Sequence, residues 1–453
     1  FVPQNNKYEQ SMQQKNVYQV LVNANRQWPD HAAVYDDSGT LTFSGLYEEA
    51  EALKQQLINR GIGEGQAIGI MARNGRNFII GIFAVLGTGA CVMPMSHQLK
   101  RDELEEQVKQ ATLHFILDDL SGIDPMGSTD VIALKNGQIR VAKTTSPNVV
   151  FAPHVDNPAF MRFTSGTTGT AKGVIISHQS AIERIEGANT ALNLGPEDTV
   201  IWVLPIAYHF VVSILLYVRY GAAIAITKDF LPQSIIESIH RFNGTLLYAS
   251  PMQIRLMARA EEHVNIPSMK KVISTSAAIS TDACIEFYQK YGIPVSQAYG
   301  IIEIGLPIIN FAKSKEFPNA VGYALQEYDV AILDDNHQPV EDGELGHLAI
   351  KGKGMFDAYL NPPLKRDEVT TNGYFLTADF ARKQPDGLII VEGRQKSVIN
   401  VSGNKVFPEE VEGILETRNE IEQAKISGVP PSSGMLLHSS HSKVPTQRFE
   451  SRR

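Results

Sequence analysis

The sequence predicts an α/β protein. It has a large N-terminal domain of stacked, mainly parallel sheets with helices on their faces, a small β-barrel-like module, and a small α+β C-terminal domain. Three observations predict this. At 453 residues the chain is too long for one hydrophobic core, so two or more domains are expected. From residue 41 onward, apolar runs of strand length alternate with amphipathic runs of helical length, the pattern of a parallel sheet covered by helices. From about residue 320 short strands punctuated by Asp, Asn and Gly turns take over, which marks an antiparallel module. The large domain is thus expected at residues 1–393, with the β-rich module at 320–393, and the small domain at 394–453.

In "SGLYEEAEALKQQLINRG", Leu46, Ala50, Leu53 and Leu57 recur at helical spacing, with Ser44 as candidate N-cap and Gly61 as the stop. "AIGIMA" then reads as a buried strand. Residues 78–95, "FIIGIFAVLGTGACVMPM", are long enough to raise a membrane span. Gly87 and Gly89 split the run and Pro94 ends it, so a buried helix, a glycine turn and a buried strand fit better. "KRDELEEQVKQA" is a charged amphipathic helix and "LHFIL" the next strand. After a glycine-rich segment, "SAIERIEGANTAL" is helical, "DTVIWVLPI" a strand, and "IIESIHRF", "TLLYAS", "MQIRLMARAEE" and "KKVIST" continue the alternation. "EGRQKSVINVSGNKVFPEEVEGIL" gives strands, a turn and a helix opened by Pro408. The serine-rich stretch from Gly428 onward is weakly periodic and reads as a truncated or discontinuous tail.

A net charge of −8 argues against nucleic acid or an anionic membrane as the main partner. The N-terminal "FVPQNNKYEQSMQQKN" lacks the apolar core of a secretion signal. The two cysteines, Cys91 and Cys284, have no metal-type spacing and read as small buried hydrophobes, which fits a reducing cytoplasm.

The chemistry concentrates in "RFTSGTTGTAKGVIISH", residues 162–178. Gly166, Gly169 and Gly173 let backbone N–H groups approach an anion. Thr164, Ser165, Thr167 and Thr168 add hydroxyls, and Lys172 adds a mobile positive charge. A polyphosphate is the ligand such a loop suits, although the G-x-x-x-x-G-K-[ST] spacing of a Walker A loop is absent.

"FTSGTTGTAKGV" resembles the phosphate-loop signature of the adenylate-forming superfamily, which includes acyl-CoA synthetases, aryl- and amino-acid-adenylating enzymes and firefly-type luciferases. "QAYGIIEIG" resembles its Q-x-Y-G-x-T-E segment, "YFLTADFARKQPDG" its T-G-D segment and "EGRQKSVINVSGNKVFPEEVE" its G-R-x-K hinge, all in the family's order. The resemblance implies activation of a carboxylic acid by MgATP to an acyl-adenylate, followed by capture on the thiol of coenzyme A or of a carrier protein's phosphopantetheine arm. It also implies residue roles. Thr164, Ser165, Gly166, Thr167, Thr168 and Lys172 would hold the phosphates, and Glu303 would ligand Mg²⁺, which suits a hard oxygen. Tyr299 would stack on adenine beside Gly300, and Ser276 and Ala277 would line the adenine slot where relatives commonly have Gly-Ala. Asp379, backed by Arg394, would accept from the ribose hydroxyls; Lys396 would be the hinge and Gly403 would guide the pantetheine.

The chain departs from the pattern in places. Ile302 stands where relatives usually have Thr, removing a hydroxyl worth about 1 kcal/mol where it bonds. Ala378 replaces the Gly of T-G-D, read as a milder change, and the family's late catalytic lysine has no matching context here. Tyr208 and His209 fall at the gate and specificity positions of the acid pocket. The absence of Asp at position 209 argues against an α-amino acid substrate. Phe210, Val211 and Val212 with Ile301, Ile302 and Pro307 suggest an apolar cavity for a fatty or aryl acid. Val211 to Leu216 fits a buried helix face equally well, and His209 also fits a satisfied core histidine. Two other readings stand beside the ligase. One is a nucleotide- or acyl-adenylate-binding protein without turnover; the other is a peroxisomal luciferase-type oxygenase, for which the chain, ending "SRR", lacks the S-K-L address.

Overall fold

The structure, a computed structural model, describes residues 16–146, 148–164, 172–261, 264–401, 404–408, 411–412, 415, 424–427 and 438–441. Two nine-stranded sheets form the body. In the first, Ala32–Asp36, Ala223–Ile226, Thr199–Trp202, Leu246–Ala249, Lys271–Ser274 and Val295–Ile301 run parallel in that order. Antiparallel strands close its edges, among them Gly305–Ile309, which folds back on Val295–Ile301. In the second, Phe115–Asp118, Ala67–Ala72, Cys91–Ser96 and Pro158–Phe163 are parallel neighbours. Gly173–Ser177 then returns antiparallel along Pro158–Phe163 and pairs with Ala358–Tyr359.

The apolar runs explain these sheets. All six residues of Ala67–Ala72 are buried, as expected for a strand covered on both faces. The helix Arg76–Gly87 buries Phe78, Ile79, Ile80, Ile82, Phe83, Val85 and Leu86, so the run that raised a membrane span is core helix plus core strand. Among the described residues no helix is long and apolar enough to cross a membrane. Burial of each such side chain is worth about 1.5–3 kcal/mol. One apolar cluster joins Val34 and Ile224 of the first sheet, Ile70 and Val92 of the second, and Leu348 and Ile350 of the β-rich module.

That module is an open antiparallel sheet in the order Tyr328–Leu333, Gly346–Gly352, Phe375–Lys383, Ile389–Arg394, and it does not close into a barrel. It is tied to the edge of the first sheet, where Ile389 N–H donates to Gly322 O at 2.8 Å and Val321 N–H to Ile389 O at 3.0 Å. Beyond it, Ile399–Val401 pairs with Asn404–Val406, Pro408 opens a helical segment, and Ala424–Ser427 pairs with His438–His441. Gly403 and most of the tail lie outside the described residues. The helix assigned to residues 44–61 begins earlier, spanning Phe43–Ile58. Its N-cap is Thr42, not Ser44, because Thr42 has extended backbone and its Oγ1 accepts from Gly45 N–H at 3.1 Å. Cys91 and Cys284 are buried free thiols, and burial raises both pKa values.

Candidate active site

A cleft of about 620 Å³ opens where the three sheets converge. Its walls come from the carboxyl ends of the parallel strands, where ligands of open α/β sheets bind. Thr164 follows the strand Pro158–Phe163, Thr275 and Ser276 follow Lys271–Ser274, and Gly300 to Leu306 span the hairpin turn between Val295–Ile301 and Gly305–Ile309. The module contributes Thr377, Ala378 and Asp379.

The glycine-rich loop enters at the rim. Thr164 N–H donates to Lys172 O at 3.0 Å, which pins the base of the loop, while Ser165, Gly166, Thr167 and Thr168 lie outside the described residues. Lys172 Nζ sits 4.7 Å from the ring centre of Tyr359. The Tyr359 hydroxyl donates to Glu303 Oε1 at 3.1 Å. Glu303, 8% exposed, therefore lies within reach of a cation across one aromatic ring. Burial raises its pKa, opposed by the Tyr359 hydrogen bond and by Lys172 and Arg184. Phe356 N–H donates to the Glu303 carbonyl at 2.7 Å, locking the backbone. From beneath, the fully buried Arg184 donates to Ile302 O at 3.1 Å and Gly354 O at 2.9 Å, and burial lowers its pKa to about 10.

On the opposite wall Asp379, 6% exposed, pairs in register with Arg394, whose Nε lies 3.7 Å from Asp379 Oδ1. The Tyr299 hydroxyl donates to Asp379 Oδ2 at 2.5 Å, and burial and Asp379 raise its pKa. Tyr299 is half-buried, packs against the apolar core, and steadies Asp379 through its hydroxyl. Gly300, Ile301, Ile302, Glu303, Arg394 and Lys396 do line the cleft.

The expected acid-pocket residues divide between the cleft wall and the core. Tyr208 and His209, in the short helix Ile206–His209, face the cleft, as does Val212. His209 packs edge-on against Trp202 at 5.7 Å and Tyr248 at 6.4 Å. Burial, with nearby Arg162, pushes its pKa down to about 3, so the ring is neutral. Phe210 lies behind the cleft at 1% exposure, against Phe83 and Phe160, because aromatic packing in the core claims it. Ala277 is exposed and not part of the cleft wall, and Pro307 is buried in the strand Gly305–Ile309, where Leu306 faces the cleft instead.

Ser276 (φ 75°) and Ala378 (φ 64°) adopt left-handed backbone. That conformation costs a residue with a Cβ roughly 1–2 kcal/mol, so the Ala378 change is not the mild one that its small size suggested. Sequence reasoning missed Arg162 and Tyr359. A signal for Arg162 existed: a charge inside the buried run "PAFMRF", two residues before Thr164 and so on its face of the strand. Tyr359 carried none, because only folding brings it to Glu303.

Comparison with known proteins agrees with this geometry. The family model described as AMP-binding enzyme matches residues 21–360. A 2-succinylbenzoate–CoA ligase from Geobacillus sp. is 26% identical over 411 residues, covering 88% of this chain and 82% of that protein. A long-chain-fatty-acid–CoA ligase from Bacillus subtilis is 24% identical over 480 residues, covering 94% and 85%. The crystal structure of ATP-bound MatB from Rhodopseudomonas palustris superposes with a TM-score of 0.80 at 20% identity, covering 94% of this chain and 88% of that one, and so shares the fold. A glycine-rich loop base, a buried glutamate and a paired aspartate around one cleft, with the family match over most of the chain, lead to one conclusion: this chain belongs to the AMP-binding enzymes of the adenylate-forming superfamily.

Proposed function

We infer that this chain is an ATP-dependent, AMP-forming acid–thiol ligase. A carboxylate oxygen attacks the α-phosphorus of ATP, the bond to the β-phosphate oxygen breaks, and pyrophosphate leaves. The sulfur of coenzyme A then attacks the acyl carbon of the adenylate, and AMP leaves with the bonding electrons. One observation carries this reading: Thr164, Lys172, Glu303, Asp379 and Arg394, brought from three sheets, line a single cleft. Neither step needs a protein nucleophile, and catalysis is positioning plus neutralisation of charge.

In this reading Thr164, Lys172 and the loop residues Ser165 to Thr168 hold the phosphates. Asp379, kept in place by Tyr299 and Arg394, accepts from the ribose hydroxyls. A divalent cation fits at Glu303: among the described residues no group of three acidic, His or Cys side chains exists, and Mg²⁺ takes one carboxylate plus substrate phosphates and water. When bound, Mg²⁺ would offset charge on the leaving pyrophosphate. Lys396, on the cleft wall, would be the hinge between a large domain to residue 393 and a small one beyond it.

The test is to incubate the full chain with MgATP, coenzyme A and a panel of fatty and aryl acids, and to measure AMP and acyl-CoA. The two should appear in equal amounts with at least one acid. Absence of AMP with every acid contradicts the ligase reading, and thioester only on a holo-carrier protein moves the acceptor from coenzyme A to that arm.

A further inference from the structure

The acid end of the cleft contains a cation that the reaction scheme leaves without a task. Arg162 projects from the buried strand Pro158–Phe163 and lines both the main cleft and a small apolar cavity behind it. Its guanidinium lies 4.8 Å from the ring centre of Tyr208, and Nη1 donates to the Tyr208 carbonyl at 2.6 Å. Among the described residues that is its one hydrogen-bond acceptor, and no carboxylate lies within ion-pair distance. A guanidinium has five N–H donors in a fixed fork. Among the described residues no other group takes these donors, and Arg162 lines the cleft.

Among the described residues no carboxylate forms an ion pair with Arg162. His209 is neutral, Tyr208 offers a ring face and a carbonyl, and Val212 and Ile302 are apolar. Glu303 is the carboxylate whose charge acts on it, and Glu303 is already engaged by the Tyr359 hydroxyl and by the charge of Lys172. A desolvated cation with spare donors is costly beside an apolar acyl tail and favourable beside an anion. Its fork also matches a carboxylate in two-point geometry.

Resting on the ligase reading, we propose that Arg162 binds a second carboxylate of the acid substrate, so that the pocket selects dicarboxylic acids over monoacids of equal length. The acid then lies with its reacting carboxylate toward Thr164 and the phosphates, and its other carboxylate against Arg162 between Tyr208 and His209. The Tyr208 ring and carbonyl preset the guanidinium, which reduces the ordering cost on binding. Substrate selection thus comes from a charge that monoacids leave unpaired.

The probes are linear monocarboxylic and α,ω-dicarboxylic acids of four to eight carbons, and benzoate against its carboxyalkyl derivatives. With the full chain, MgATP and coenzyme A, diacids should exceed matched monoacids in kcat/KM by roughly 10- to 100-fold, the range for one charge-assisted hydrogen-bond pair. Arg162→Met should remove that preference by raising KM for the diacids, and Arg162→Lys should recover part of it. Equal use of both acid classes by the native chain overturns the proposal, as does an equal loss on both classes in Arg162→Met, which would place the cation at the reacting centre. An inactive native chain contradicts the ligase reading alone. Calorimetric titration of the diacids into the native chain and Arg162→Met then decides the proposal: weaker binding only in the variant supports it, and equal binding overturns it.

Discussion

Glu303 shows how a single residue couples burial to chemistry. Its carboxyl is raised by burial and restrained by one tyrosine hydroxyl and two cations. A raised carboxylate pKa means that the acid form appears at higher pH than usual, and the acid form is a poor cation ligand. MgATP affinity is therefore expected to fall as pH drops from neutrality through that raised pKa. Glu303→Gln should flatten the profile and weaken binding at pH 7 by at least about tenfold, measured by calorimetric titration across pH. Strain is readable at the same scale. Ser276 and Ala378 occupy left-handed backbone that suits glycine, so Ser276→Gly and Ala378→Gly should each raise stability by about 0.5–1 kcal/mol in urea unfolding. A drop in stability in both would contradict the strain. The sequence displayed the missing glycines but not their φ; at Ala378 the backbone is held between paired strands, where Gln395 N–H donates to Ala378 O at 2.9 Å.

At the scale of elements, the hairpin of Val295–Ile301 and Gly305–Ile309 carries Glu303 at its tip. It can close because Gly300 has no side chain: a Cβ there would lie 2.3 Å from the carbonyl oxygen of Gly305, a backbone atom that cannot step aside. Gly300→Ala is expected to cost roughly 1–3 kcal/mol and to lower ATP affinity as Glu303 shifts. Urea midpoints together with nucleotide titration check this, and an unchanged variant would show that the turn tolerates a side chain. Alternating apolar and amphipathic runs made most sheets and helices legible, because covered strands must be continuously apolar. Cleft membership was less legible. Phe210 carries the right chemistry for a pocket, yet Phe83 and Phe160 draw it inward. The family motifs pointed to Thr164, Lys172, Glu303 and Asp379, which the fold brings to one cleft, whereas Arg162 and Tyr359 needed tertiary contacts to acquire meaning.

At the scale of the molecule, the site exists because three sheets end at one place. The second brings Thr164 and Lys172, the first brings Glu303 on its hairpin, and the module brings Asp379 opposite Arg394. A nucleotide spanning them ties the module to the two large sheets, so it should also raise the unfolding midpoint in a concentration-dependent way. The central claim is that the sugar and the phosphates of one ATP occupy the two walls together. Calorimetric titration of MgATP into the native chain and Asp379→Ala, with circular dichroism confirming that both are folded, tests it most directly. One-to-one binding that weakens at least about tenfold in the variant is the predicted result, from loss of a charged acceptor; equal affinity in the two proteins would contradict it.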